Sequence, residues 1–153
     1  MIFIGRTFGA VPIIDKIAWI HLKDGAILST RSAGKDAYYI PGGKREPGES
    51  DVDTLVREIR EELGLDTTAI TPIGNYIFER KNEVMLCYHA VATGDIRLGA
   101  ELAEYRRYKP HELKPWPRAT GFAVADWMTS RGLAFEYADF PGAASWLARA
   151  DRQ

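Results

Sequence analysis

Glu58, Glu61 and Glu62 stand at i, i+3 and i+4 in the stretch Leu55-Val56-Arg57-Glu58-Ile59-Arg60-Glu61-Glu62-Leu63. On a helix that spacing brings three carboxylates toward one region, because residues three and four apart are surface neighbours. Three close negative charges repel one another until a cation joins them. Hard oxygen ligands suit Mg2+, with Mn2+ as a substitute, and Mg2+ keeps waters while binding through a few carboxylates and substrate phosphates. The chemistry this serves is phosphoanhydride cleavage, where charge builds on phosphate oxygens and a cation both neutralises it and activates water. An Arg- and Glu-rich helix face is otherwise simply solvated, so the surrounding residues decide between the two readings.

The elements that must present these side chains are legible around them. Ser50 or Asp51 can cap the helix, whose first N–H groups need an oxygen acceptor, and Gly64 ends it. Val52, Leu55, Val56, Ile59 and Leu63 recur at helical spacing as an apolar stripe, with the three glutamates expected on the other side. Upstream, Ile17 to Leu22, a Lys23-Asp24-Gly25 turn and Ala26 to Arg31 read as a hairpin. Tyr38-Tyr39-Ile40 reads as a short strand stopped by Pro41-Gly42-Gly43. Downstream, Ile73 to Glu79 and Val84 to Thr93 flank a polar turn as a second hairpin, and a strand is expected around Tyr105 to Tyr108. Thr120 is the expected cap of a helix from Gly121 to Ser130, and Ala143 to Ala150 reads as another. The pattern is a mixed α/β domain, taken as one unit over residues 1–153.

Five residues separate Gly43 from Glu49, seven separate Glu49 from Arg57-Glu58-Ile59, and Glu61-Glu62 and Gly64-Leu65 follow at one-residue gaps. This is the complete Nudix box, and the chain resembles the Nudix (MutT-like) hydrolases. The resemblance implies an α/β/α sandwich with a mixed sheet, the box helix and extra C-terminal helices. It implies a Mg2+-dependent pyrophosphohydrolase that cleaves the diphosphate bridge of a nucleotide-type substrate with metal-activated water. The substrate is expected to be a nucleoside triphosphate or a nucleoside diphosphate linked to another moiety.

The resemblance also assigns residues. Glu58 and Glu62 correspond to metal ligands, Glu61 to a third ligand or a base acting through water, and Glu49 to a residue that supports the site or binds a second ion. The carbonyl of Gly42 matches a common backbone ligand. Arg57 is expected to orient the glutamates through charge-assisted hydrogen bonds, and Lys44 either to do the same or to touch substrate. A further acid from outside the box is expected from Glu101, with Glu104 second. Arg31 corresponds to a family arginine that meets substrate phosphate. Tyr38 and Tyr39 alternate across their strand, so at most one stacks on a base, and Tyr39 is taken as the binding one.

Other features set bounds. Twenty basic against twenty-one acidic side chains give a net charge of -1, so no basic field draws the protein to nucleic acid or anionic membrane; the short run Arg106, Arg107 and Lys109 reads as a solvated strand edge. Cys87, the only cysteine, reads as a packed small apolar residue, and the absence of an address signal or a long apolar run points to a cytoplasmic protein. Pro115-Trp116-Pro117 echoes a motif of the NADH pyrophosphatase branch but is displaced, and reads as a rigid connection. His21, His89 and His111 have no metal-ligand spacing. The apolar material of Phe122 to Met128 and Phe135 to Trp146 suits a pocket wall, sheet packing or a homodimer contact. Two other activities fit the same scaffold less well. A catalytically silent nucleotide-binding or regulatory module would not need every box glutamate, and prenyl diphosphate isomerisation asks for a cysteine upstream of the box.

Overall fold

The computed structural model describes residues 7–8, 11–117 and 119–139. In chain order its strands and helices are β1 (Thr7–Phe8), β2 (Val11–Pro12), β3 (Ile14–Ile20), β4 (Leu22–Lys23), β5 (Ala26–Ser32), β6 (Gly42–Lys44), α1 (Asp51–Leu63), β7 (Asp66–Phe78), β8 (Glu83–Thr93), β9 (Leu102–Tyr108) and α2 (Thr120–Ser130). β1 and β2 pair with each other. A four-stranded sheet has the order β6-β3-β8-β7 and a three-stranded sheet the order β4-β5-β9. The larger sheet is mixed, since β3 runs parallel to β8 while β6 and β7 pair antiparallel.

β3 is the centre of the architecture. Ile17, Ala18, Trp19 and Ile20 are all but inaccessible to solvent, as a strand covered on both faces must be. Ile17 and Trp19 face one way, into a core with Leu55, Ile59 and Leu63 of α1. Ala18 and Ile20 face the other way, into a core with Ala123, Val124, Trp127 and Met128 of α2. The α/β/α sandwich is therefore present, with one helix on each face of the mixed sheet. Among the described residues no helix is long and apolar enough to cross a membrane.

Several expectations change. β3 has β6 on one edge and β8 on the other, which leaves no edge for the strand that follows it. The first hairpin accordingly shrinks to Leu22–Lys23 against Ala26–Ile27, and the chain changes sheets at His21. Tyr38-Tyr39-Ile40 makes a single bridge, Thr30 to Tyr39, rather than a strand. The second hairpin is longer than expected, running from Asp66 to Thr93 around a 3-10 turn at Glu79–Lys81, and the later strand begins at Leu102. Thr120 is the first residue of α2 rather than its cap, and Ala119 precedes it with no capping side chain. On α1, Val52 and Val56 are exposed while Glu58 is buried, so the apolar face is narrower than the stripe and includes one of the glutamates. The expected helix from Ala143 to Ala150, Trp146 and Arg118 lie outside the described residues.

Candidate active site

α1 is held at both ends. Ser50 and Asp53 form a capping box, each side chain accepting from the other's backbone N–H at 3.1 Å, which satisfies two donors of the first turn. At the other end Gly64 takes φ +68°, the left-handed conformation that glycine adopts without strain. The last-turn carbonyls find partners in a later loop: Arg97 N–H donates to Leu63 O at 2.8 Å and Gly99 N–H to Glu62 O at 2.9 Å. That stitch brings the segment carrying Glu101 against the carboxylate end of the helix.

Between these ends Arg57 organises the acids. Its Nε donates to both oxygens of Glu49 (3.2 and 2.9 Å), its Nη2 to Glu49 Oε1 and to the Lys44 carbonyl (2.9 and 3.0 Å), and its Nη1 to Glu58 Oε1 and Glu61 Oε2 (3.0 and 3.2 Å). The hydrogen bonds to Glu49 first, and the neighbouring glutamates after them, raise the Arg57 pKa above its ordinary value. Arg57 in turn holds Glu49 below the usual carboxylate range. Arg57 thus hydrogen-bonds three of the box glutamates at once. Glu49 is a different matter: both its oxygens face Arg57, Oε1 also accepts from Glu46 N–H at 2.8 Å, and it does not line the cleft described below. In this geometry its contacts are to Arg57 and the Glu46 N–H.

Glu58 is 8% exposed and Glu62 half-buried. A Cβ at Gly43 would land on the Glu58 carboxyl group, so the first box glycine is the gap in β6 into which that carboxyl fits. Burial raises Glu58 above the ordinary range. Burial, then the charge and hydrogen bond of Glu58, push Glu62 up to about 8. Two carboxyl groups in contact out of water cannot both ionise cheaply, so one retains a proton. Glu62 Oε2 is buried with no hydrogen-bond partner.

Among the described residues no three His, Cys, Asp or Glu side chains converge closely enough to cage an ion, and Arg57 draws Glu58 and Glu61 to itself. The donor set nonetheless fits a hard divalent cation. All the donors are oxygens, one is buried and orphaned, and the burial and neighbouring negative charge that raise Glu62 are what a positive ion would offset.

A cleft of about 930 Å3 runs from these acids across the sheet. Glu58, Glu61, Glu62, Glu101, Gly42 and Lys44 line one end, and Tyr39 and Arg57 also reach it. Arg31 does not. Its Nη1 donates to the Lys35 carbonyl at 2.9 Å and its Nη2 pairs with Glu104 at 3.4 Å, while Arg106 lies over the Tyr38 ring, 4.7 Å from its centroid. β5 alternates, so Thr30 and Ser32 face the cleft and Arg31 faces away. The same cluster claims Glu104 and Tyr38, which separates Glu101 from Glu104 and Tyr39 from Tyr38. Beyond Lys44, which lies across from Lys16 in the β3–β6 ladder, the cleft is also lined by residues without a spacing signal: Lys16, Phe78, Lys81, Glu83, Met85 and Trp116. Trp116 is part of a cleft wall and not only a connection. Lys16, a charge inside the apolar β3 run, was the one local hint of this lining.

A NUDIX domain model matches residues 15–127. The chain belongs to the Nudix family. Nudix relatives include the NAD-capped RNA hydrolase NudC of Pseudomonas putida (strain F1), 32% identical over 108 residues covering 68% of this chain and 39% of that protein. The CTP pyrophosphohydrolase of Escherichia coli (strain K12) is 41% identical over 78 residues, covering 48% of this chain and 55% of that one. The chain thus spans well under half the length of the NudC relatives it matches. Among solved Nudix-like structures, the E. coli ORF135 protein superposes with TM-score 0.64 at 27% identity, covering 82% of this chain and 96% of that one. An ADP-ribose pyrophosphatase from Streptococcus suis shares the fold, with TM-score 0.64 at 16% identity over 82% of this chain and 98% of that one.

Proposed function

We propose that the chain is a Mg2+-dependent pyrophosphohydrolase that cleaves the diphosphate bridge of a nucleotide-type substrate, either a nucleoside triphosphate or a nucleoside diphosphate linked to another moiety. The observation that carries this reading is the buried Glu58–Glu62 pair with its orphaned Glu62 oxygen at one end of a large cleft. The names of the relatives, one acting on NAD-capped RNA and one on CTP, support a substrate that joins a nucleoside to a diphosphate.

Glu58, Glu62 and Glu61, with the Gly42 carbonyl, would hold the cation. When bound, a divalent ion supplies charge neutralisation at phosphate oxygens and a lowered pKa for water. Arg57 gathers Glu58 and Glu61 through its Nη1 and so keeps both carboxylates near the place where the cation would sit. Gly43 leaves the Glu58 carboxyl its place. Glu101, held beside Glu62 by the Arg97 and Gly99 hydrogen bonds, accepts the proton of the attacking water. Lys44 contributes a positive charge for phosphate and Tyr39, 42% exposed, an aromatic face for the nucleoside.

A panel of nucleoside triphosphates, nucleotide sugars, ADP-ribose and NADH, followed by chromatographic detection of the nucleoside monophosphate product, tests the proposal. Hydrolysis of at least one class is expected in Mg2+ and its loss is expected in EDTA. Turnover that persists in EDTA, or none across the panel, overturns it.

A further inference from the structure

The cleft carries a second charged pair, far from the acids in sequence and on the other face of the sheet. Glu83, the first residue of β8, is 7% exposed. Its Oε1 accepts from Lys16 Nζ at 2.9 Å, and both side chains line the cleft. The strands place them together: in the parallel β3–β8 ladder Ile14 lies opposite Glu83 and Lys16 opposite Met85. Alternation puts Lys16 with Ala18, and Glu83 with Met85, on the face that α2 covers. Met85 lies beside Lys16 on β8 and Lys44 across from it on β6, while Ala18, Phe78, Lys81 and Trp116 also line the cleft.

An ion pair with a buried carboxylate bears a desolvation cost that a pair of packed apolar residues would avoid. As a tie between strands it adds little to a ladder already closed by backbone hydrogen bonds. As a reader of something in the cleft it supplies a donor-only ammonium held beside an acceptor-only carboxylate.

We propose, resting on the pyrophosphohydrolase reading above, that Lys16 and Glu83 read the edge of the substrate's nucleobase and favour bases bearing an exocyclic amino group over uracil and thymine. Cytosine and adenine each present an amino donor next to a ring-nitrogen acceptor. Guanine presents a ring N–H and an amino group next to a carbonyl. In all three, Glu83 accepts while Lys16 donates, and no two acceptors meet. The uracil or thymine edge is a single N–H between two carbonyl oxygens. When that N–H is given to Glu83, Lys16 takes one carbonyl and the other lies against the carboxylate, a repulsion that a polar site turns into rejection.

Cytidine and uridine triphosphates have the same size and differ at this edge, so they are the probe. The wild-type protein is expected to favour CTP over UTP in kcat/KM by at least about tenfold. Glu83→Gln, whose amide donates as well as accepts, is expected to bring the ratio within about threefold, mainly through a higher KM for CTP. Lys16→Gln serves as a second variant should Glu83→Gln fail to fold, with circular dichroism as the check, and is expected to compress the ratio likewise. Calorimetric binding of CMP and UMP to the metal-free protein reads the same preference without turnover. Equal binding and turnover of the two pyrimidines by wild type, or a folded variant that keeps the wild-type ratio, overturns the inference. Absence of any hydrolysis would overturn the hydrolase reading instead, and the CMP to UMP binding ratio would still decide this one.

Discussion

Two parts of the cleft are built on different plans. The acidic end comes mainly from one continuous segment, with Gly43 making room for Glu58, Arg57 gathering Glu49, Glu58 and Glu61, Gly64 closing the helix that carries them, and Glu101 added from a later loop. The rest of the lining is assembled from Lys16 on β3, Phe78 and Glu83 on the two strands of the long hairpin, and Trp116 before α2. The first plan fixes relative positions by helix geometry and a few close contacts. The second depends on the whole sheet being in register. One part is therefore suited to chemistry that does not vary, and the other to choosing what is presented to it.

The comparison can be broken at its strongest point first. Glu62→Gln removes a charge from the proposed cation site while keeping shape, and Mg2+-dependent turnover is expected to fall at least about a hundredfold, the scale of losing a few kcal/mol of transition-state stabilisation. Near-wild-type turnover in a folded variant would remove the acidic end from the chemistry. Gly43→Ala comes next. Its methyl displaces the Glu58 carboxyl, and a misplacement of that order is expected to reduce kcat by roughly 10- to 100-fold, with circular dichroism close to wild type. Unaltered kcat would mean that the gap in β6 does not position Glu58.

A pH experiment sharpens the same end. Glu62 holds its proton more tightly folded, at about 8, than at the ordinary 4.5. The folded state therefore binds the extra proton between these values, and stability falls as pH rises through that window. The melting temperature of metal-free protein is expected to drop between about pH 5 and pH 8 more steeply than that of Glu62→Gln. Parallel curves for the two would show that burial of Glu62 has no such consequence. The smallest effect is expected outside the cleft. Arg31→Ala loses a partly exposed pair with Glu104, and KM for any accepted nucleotide should move by less than about threefold. A tenfold rise would return Arg31 to the substrate.

What was legible in the sequence follows the same division. Glu58, Glu61, Glu62, Gly43 and Gly64 are recognisable because a helix fixes how residues three and four apart meet, and because a left-handed cap asks for glycine. The second hairpin and α2 were legible from apolar runs and turn residues. The failures all concern partners distant in the chain. Whether β5 could pair with β3 depended on β8 already occupying that edge, and nothing local to Ile17 or Ala26 says so. Arg31 and Thr30 are adjacent, yet only the pairing of β5 with β9 decides which of them faces the cleft. Lys16 and Glu83 are ordinary charges until the parallel ladder sets them 2.9 Å apart. Glu58 was expected off the apolar stripe because helical spacing puts it there, whereas its burial follows from a glycine on another element.

The parallel pairing of β3 with β8 also sets an order in time. Parallel neighbours cannot be joined by a tight turn, and here α1 and all of β7 lie between them. Local contacts close faster than distant ones, so α1 and the β7–β8 hairpin can be in place before β3 docks beside β8. The floor bearing Lys16 and Glu83 is then the last part of the cleft to exist. Pulse labelling of backbone amides during refolding, with protection in the hairpin preceding that at Ile17 and Ala18, would read this order. The protein acquires its acids before it acquires the surface that decides what they act on.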